Sequence, residues 1–433
     1  AQMPWPKISI ARTATAENVF ARNVLRGGKD PFVGSKVSPD LEALVASRRQ
    51  HLRVSTIIQA EDVSNAEYLE FLRSSSVNIA AKATTLKMLE AEMPLGSVAA
   101  VAAHAGTLHI SRNLQTRSLG HVELTTGVTA MRDMKGNAEM DGSGVGIAIL
   151  DSGIYEDHDM FSGENGSRVV KKVQFELGGS EDRYGHGTHV AGLAAGRGGR
   201  AGSANSEEIL RPYQGVAPGA NIISVRVLTD TGQGSSSKLI QAIDWVLANR
   251  GQFNIRVVNL SLGAASIETW RNDPLCRAVR RLTEAGVVVV AAAGNDGKNL
   301  VGQKTYGTIH SPGNDPTVIT VGATNTFQTD RRSDDGVATY SSRGPTRSYF
   351  TDANGLKQYD HLVKPDLVAP GNKLTSAKSR FNVLATLNPL NDVLFSDGFR
   401  SNTQLIRMSG TSMATPIVAG AAALLLQANP QLT

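Results

Sequence analysis

A chain of 433 residues with 41% hydrophobic content can bury a large core and is long enough for two or three domains. The basic excess lies in the first 120 residues, 14 against 10, and the remainder is nearly neutral at 30 against 29, so no basic face for nucleic acid is implied. No apolar run reaches about 18 residues without a break, so no membrane-spanning helix is expected, and the single cysteine, Cys276, cannot form an intrachain disulfide.

Residues 1–45 lack clear periodicity and read as an extended or weakly structured leader. "HLRVSTIIQA" alternates and branches like a strand. "SNAEYLEFLRSS" comes next as a helix, with Ser64 and Glu67 at capping-box spacing. "VNIAAKA" and "LKMLEAEM" read as two further strands, "GSVAAVAAHAG" as a short helix closed by Gly106, and "TLHIS" as a last strand. The order βαββαβ predicts a small α+β ferredoxin-like unit over residues 46–115, with residues 116–124 as a linker to the larger remainder of the chain.

"GSGVGIAILDSGI" is an apolar, branched run that reads as a buried strand of a parallel sheet ending at Asp151. Open α/β sheets bind ligands at the carboxyl ends of their strands, although an aspartate there can also simply turn the chain. "DRYGHGTHVAGLAAG" carries His186 and His189 before a small-residue helix with Gly196 as its stop. Glycines on both sides of His186 point to close backbone approach, which a packing histidine does not need. "AGVVVVAAAGNDG" reads as another fully buried strand, ending in Asn295. "MSGTSMATPIVAGAAALLLQANP" is a core helix containing Pro416. Proline is tolerated in the first turn, so the helix should begin near Thr411 or Ser412. A serine there sits beside free N–H groups and the positive helix end. It can be an N-cap or a nucleophile whose reaction develops an oxyanion.

Together these segments resemble the Asp, His and Ser motifs of the subtilisin family of serine proteases, in that family's chain order. The resemblance covers roughly residues 125–433 and includes "YQGVAPGANIISVRVL", "RVVNLSLG", "YSSRGP" and "VKPDLVAPG"; "DPLCRAVRRLTEAGVVVV" is similar to the AprX-like alkaline type. It implies a doubly wound, mostly parallel α/β catalytic domain. It also implies Ser412, before the methionine of "GTSMATP", as nucleophile, with His186 as base and Asp151 orienting it. Ser409 and His189 then carry no chemistry. Asn295 would donate to the oxyanion. The substrate would add as a strand between Ser261, Leu262 and Gly263 on one side and Gly232 and Gly234 on the other. Ala292, Ala293 and Gly294 would complete small, uncharged pocket walls. An ungapped match of "SPGNDPTVITVGA" puts His310 at the pocket floor.

By the same resemblance the 46–115 unit is an inhibitory propeptide, with a processing cut between Arg112 and Leu124. The expected function is a serine endopeptidase made as a self-inhibited proenzyme, a monomer acting on protein or peptide substrates, secreted or, as the alternative, cytoplasmic. The competing reading is a catalytically silent binding protein on the same fold. No cofactor is required and no metal ligands are assigned. Calcium is possible as a structural ion, but "GRGGRAGSANSEEILRPY" replaces the family's asparagine-rich calcium loop, so its site is unassigned. The start at Ala1-Gln2 and the stop after "ANPQLT" are expected to be incomplete ends, the latter truncating the catalytic domain. "TRSYFTDANGLKQYDH" and "SRFNVLATLNPLNDVLFSDGFRSN" read as extra surface loops.

Overall fold

The computed structural model describes residues 32–46, 50–113, 115–118, 140–164, 166–179, 181–200, 203–210, 213–327, 335–393 and 401–432. The first part holds α1 (Pro39–Val45), β1 (Arg53–Ala60), α2 (Ala66–Ser74), β2 (Asn78–Ala83), β3 (Met88–Pro94), α3 (Val98–Ala103) and β4 (Thr107–Arg112). Its sheet runs β2-β3-β1-β4 with every neighbouring pair antiparallel, so the βαββαβ order folds as one layer. Ile58, Leu72, Leu89 and Ile110 are fully buried between that sheet and its helices.

Two local expectations are corrected here. The leader is not weakly structured throughout: α1 lies inside it, with Leu41 fully buried and Ser38 N–H donating to the Ile110 carbonyl of β4. Pro39 opens that helix and Asp40 and Glu42 complement its positive end. Seven residues are too few for a 3.6-residue period to show in the sequence. The helix cap of α2 is Asn65, which accepts from Tyr68 N–H at 2.9 Å, while Ser64 N–H is turned onto Asp62. An asparagine caps as well as a serine, and the Asp62 turn moves the start by one residue. Residues 1–31 and 119–124, with most of the leader and linker, lie outside the described residues.

Short strand β5 (Gln115–Ser118) leads onward. The second part comprises β6 (Gly146–Asp151), β7 (Val169–Gln174), α4 (His186–Ala195), β8 (Asn221–Arg226), β9 (Gln233–Ser235) and α5 (Ser236–Asn249). It continues with β10 (Ile255–Leu260), β11 (Leu262–Gly263), α6 (Pro274–Glu284), β12 (Val288–Ala292), β13 (Ile319–Asn325) and β14 (Gly336–Val337). It closes with β15 (Tyr349–Thr351), β16 (Lys357–Tyr359), β17 (Leu367–Pro370), β18 (Leu374–Ala377), α7 (Val383–Leu387), β19 (Asp392–Val393), β20 (Leu405–Met408) and α8 (Thr411–Ala428).

The central sheet runs β14-β13-β12-β10-β6-β8-β7, with β17 also on β13, and only β14 is antiparallel. Ile147 and Ile149 share one core with Val190 of α4 and Met413 of α8. Ala148 and Leu150 share another with Ile243 of α5 and Val279 of α6. Helices on both faces leave no wet side, which is why the strands read as unbroken apolar runs. α8 has the length and hydropathy of a membrane span, but most of it is buried against the sheet.

Both extra loops lie at the surface, with residues 353–359 and Leu387 and Leu390 exposed, and both are anchored to the body of the fold. In the first, β15 and β16 form a hairpin whose Asp360 is buried, accepting from Thr269 Oγ1, Trp270 N–H and Ser348 Oγ. In the second, α7 docks through Val383 N–H on the Arg183 carbonyl at 2.8 Å. Backbone and carboxylate groups left without partners would cost too much buried, so both insertions are tied down. Cys276, on α6, is buried; burial pushes its thiol pKa up and it acts as a packing group.

The N-terminal sheet packs on α5 and α6, and Ile57 and Met88 enter the same core as Leu239 and Ile240. Asn113 accepts from Ser237 N–H at the start of α5. His109 bonds the buried Glu268 carboxylate, which also accepts from Ser111. Beside it, burial and then the Glu268 charge push Asp273 up to about 7. An acid raised above its unfolded value near 3.9 stabilises the fold in its protonated form. That contribution is complete below about pH 4 and is lost as pH rises toward 7. Asp273 also caps α6 through Leu275 and Cys276 N–H, and asparagine can keep that role. Asp273→Asn should therefore gain stability over the parent progressively from pH 4 to about pH 7 in thermal unfolding of the full chain. An equal difference at about pH 4 and about pH 8 would refute this.

Candidate active site

Asp151 is the last residue of β6 and His186 the first of α4, so one sheet end presents both. His186 Nδ1 lies 2.8 and 2.9 Å from the two Asp151 carboxylate oxygens, and both residues are fully buried. The carboxylate thereby fixes the ring and its tautomer. On the ring's far side, Nε2 is buried and makes no hydrogen bond.

The turn before His186 is held by a residue that the sequence reading passed over. Asp182 accepts from Gly185 N–H and Ser152 Oγ with one oxygen and from Thr188 N–H and Oγ1 with the other, all within 2.8 Å. Burial raises its pKa and those bonds oppose the rise. An aspartate four residues before a helix-opening histidine was its available signal. Gly185 has φ +89°, and a Cβ there would collide with Asn382. Glycine is needed for both the backbone and the space. Tyr184, also unforeseen, packs its ring against Gly232, where a Cβ would clash.

α8 starts at Thr411, within the expected range, but Pro416 lies in its second turn rather than its first, and the Ser412 carbonyl that it cannot serve accepts from Ser261 Oγ instead. Ser412 is fully buried in the first turn. Its hydroxyl donates to the Ser261 carbonyl at 3.0 Å, and Ser261 Oγ donates back to the Ser412 carbonyl at 2.8 Å. Ser409 instead bonds Asn372 and Lys373 N–H, and His189 reaches the Leu374 carbonyl, with burial lowering its pKa to about 3.

Asn295 lies three residues beyond β12 rather than at its end. Its Oδ1 accepts from Thr411 N–H at 2.9 Å and Thr411 Oγ1 at 3.2 Å. That clamp leaves the amide Nδ2 buried and without a partner. An unsatisfied buried donor calls for a visiting acceptor.

The substrate-binding candidates form two edges. β5 lies between them, antiparallel to β9 (Gly234 opposite Thr116) and to β11 (Gly263 opposite Arg117). His310 sits beside both pocket walls: its N–H donates to the Ala293 carbonyl, and a Cβ on Gly294 would meet its ring at 2.6 Å. Its Nε2 pairs with Asp296 at 2.6 Å, a bond that lowers the Asp296 pKa, and its Nδ1 is buried without a partner. The Asp296 pairing has no sequence signal, because the two residues lie on different loops. Among the described residues no group of three or more His, Cys, Asp or Glu side chains converges as a metal site would require.

A doubly wound parallel sheet with an Asp–His pair and a helix-opening serine at its carboxyl ends defines the class of subtilisin-like serine peptidases. The model of the subtilase family matches residues 142–433, and the chain belongs to that family. It is 37% identical over 303 residues to serine protease AprX of Bacillus subtilis, covering 68% of this chain and 59% of AprX. It is 31% identical over 404 residues to an extracellular serine proteinase of a Thermus species, covering 92% of this chain and 79% of that protein. Subtilisin Savinase of Lederbergia lenta is 34% identical over 294 residues, 68% of this chain and 80% of that protein. The chain thus spans less than two thirds of the length of AprX.

Proposed function

We propose that the chain is a serine endopeptidase that hydrolyses peptide bonds through an acyl-enzyme. The observation that carries this is the buried Asp151–His186 pair whose Nε2 is left without a hydrogen bond. This reading requires the Ser412 hydroxyl to turn from the Ser261 carbonyl toward that nitrogen; looser contacts before substrate binding are ordinary in such sites. His186 takes the serine proton as Ser412 Oγ attacks the carbonyl carbon, then gives it to the leaving amine. Water enters by the same route in reverse and releases the acid. Asn295 Nδ2 and the Ser412 N–H meet the oxyanion.

The 46–115 unit acts as an inhibitory propeptide. β5 occupies the groove as a substrate strand would, with main-chain pairing on both edges. Secretion is supported by the name of the Thermus relative, an extracellular proteinase. A fluorophosphonate probe tests the class: activated serine labels at Ser412 once the propeptide is gone. A propeptide-free protein that never labels would leave the silent binding protein as the better reading.

His310 forms the pocket floor, favouring Leu, Met or Tyr over the bulkiest rings before the cut. His310→Gly should broaden that preference in a peptide-library profile. An unchanged profile would remove His310 from the pocket.

A further inference from the structure

We propose that Asn382 binds the leaving half of the substrate, its Nδ2 donating to a main-chain carbonyl beyond the cut. The proposal rests on the serine endopeptidase reading and adds a residue from the second of the two extra loops. Asn382 is 5% exposed. Its Oδ1 accepts from Ala385 N–H at 2.8 Å, and that donor fixes which end of the amide is oxygen. The other end, Nδ2, is buried and makes no hydrogen bond. It lies against Gly185, where a Cβ would collide with it, and Gly185 immediately precedes His186. A buried donor without an acceptor is unfavourable, and an arriving carbonyl removes that cost.

The segment that carries Asn382 is fixed to the turn that carries His186. Val383 N–H donates to the Arg183 carbonyl at 2.8 Å and Leu384 N–H to the Tyr184 carbonyl at 3.4 Å. Leu384 shares a core with Val190 of α4, the helix that His186 opens. The donor therefore keeps its place relative to His186. That place also selects the half of the substrate it meets. The half before the cut takes the groove that β5 fills between β9 and β11, and Asn382 belongs to neither edge. His186 hands its proton to the leaving amine, so the leaving half passes the turn to which Asn382 is bound. A main-chain carbonyl is the acceptor that every peptide offers there, whatever its side chains. Phe381, the neighbour of Asn382, is 57% exposed and offers an apolar face to a side chain of the same half.

Asn382→Ser and Asn382→Thr test this, because a hydroxyl still caps Ala385 N–H while the amide donor is gone. Thermal unfolding confirms that each variant is folded. Matured enzyme is given two substrates with the same residues before the cut. One is a peptide p-nitroanilide, which has no carbonyl beyond the cut; the other continues for three residues. For the extended peptide kcat/KM should fall about tenfold in the variants, the scale of one lost hydrogen bond, while the anilide is cut as fast as by the parent. An equal loss on both substrates would make Asn382 only a prop for the His186 turn. No loss on either would leave Nδ2 without a ligand. Both outcomes overturn the assignment and leave the peptidase reading standing. A parent that cuts neither substrate and never labels with the fluorophosphonate probe would overturn both.

Discussion

Ser412→Ala should abolish peptide hydrolysis, lowering kcat by about 10⁶-fold, the scale set by the triad of subtilisin itself. Ser409→Ala should keep substantial activity. The two serines are three apart and both largely buried, but their surroundings differ. Ser409 is spent on Asn372 and the Lys373 N–H, which fasten the loop before β18 to the end of β20. Ser412 opens α8, beside Ser261. His186→Ala and Asp151→Ala should also remove most activity. On the proposed triad, a double variant should be little worse than the worse single, since such groups act as one unit. Steady-state kinetics on a matured enzyme checks this; an active Ser412→Ala with a dead Ser409→Ala would reverse the assignment.

Asn295→Asp should reduce kcat by about 10²–10³ or more with little change in KM. The structure makes aspartate more telling than alanine. Asn295 has two jobs: Oδ1 clamps Thr411, and Nδ2 is the buried donor. Aspartate keeps an acceptor for Thr411 and puts an oxygen where the donor was, so fold and nucleophile position are retained while the oxyanion loses its partner. Alanine removes both and should add a loss of stability. A donor used only in the transition state lowers kcat without weakening ground-state binding. If Asn295→Asp kept kcat within a few-fold of the parent, Asn295 would have only its clamping role.

The parts legible in the sequence were those that act over a few residues. Unbroken apolar runs around Ile147 and Val289 declared strands covered on both faces. Pro416 pointed to the right start for α8, although it lies in the second turn, where Ser261 supplies the donor that its missing N–H would have given. The glycines beside His186 announced backbone crowding, and Gly185 shows it with its positive φ and Asn382 at its Cβ position. Alternation and turn residues were enough to order the N-terminal βαββαβ unit. Where two local signals competed, at Ser64 and Asn65, the reading missed by one position. Where an element was shorter than its own period could reveal, at α1, it was not seen.

The tertiary structure decided pairing across long stretches of chain. His109 and Glu268 are 159 residues apart and meet only because the N-terminal sheet lies on α5 and α6. Asp296 finds His310, and Asn295 finds Thr411, through loops that β12, β13 and α8 bring to one end of the sheet. The frame in which β5 lies between β9 and β11 is a register, and a register is fixed by what both edges offer at once. No hydrophobic period or cap encodes such partners. Each depends on the distance and direction between side chains after the sheet has twisted and the helices have packed, and that is where the surroundings of Ser412 are assembled.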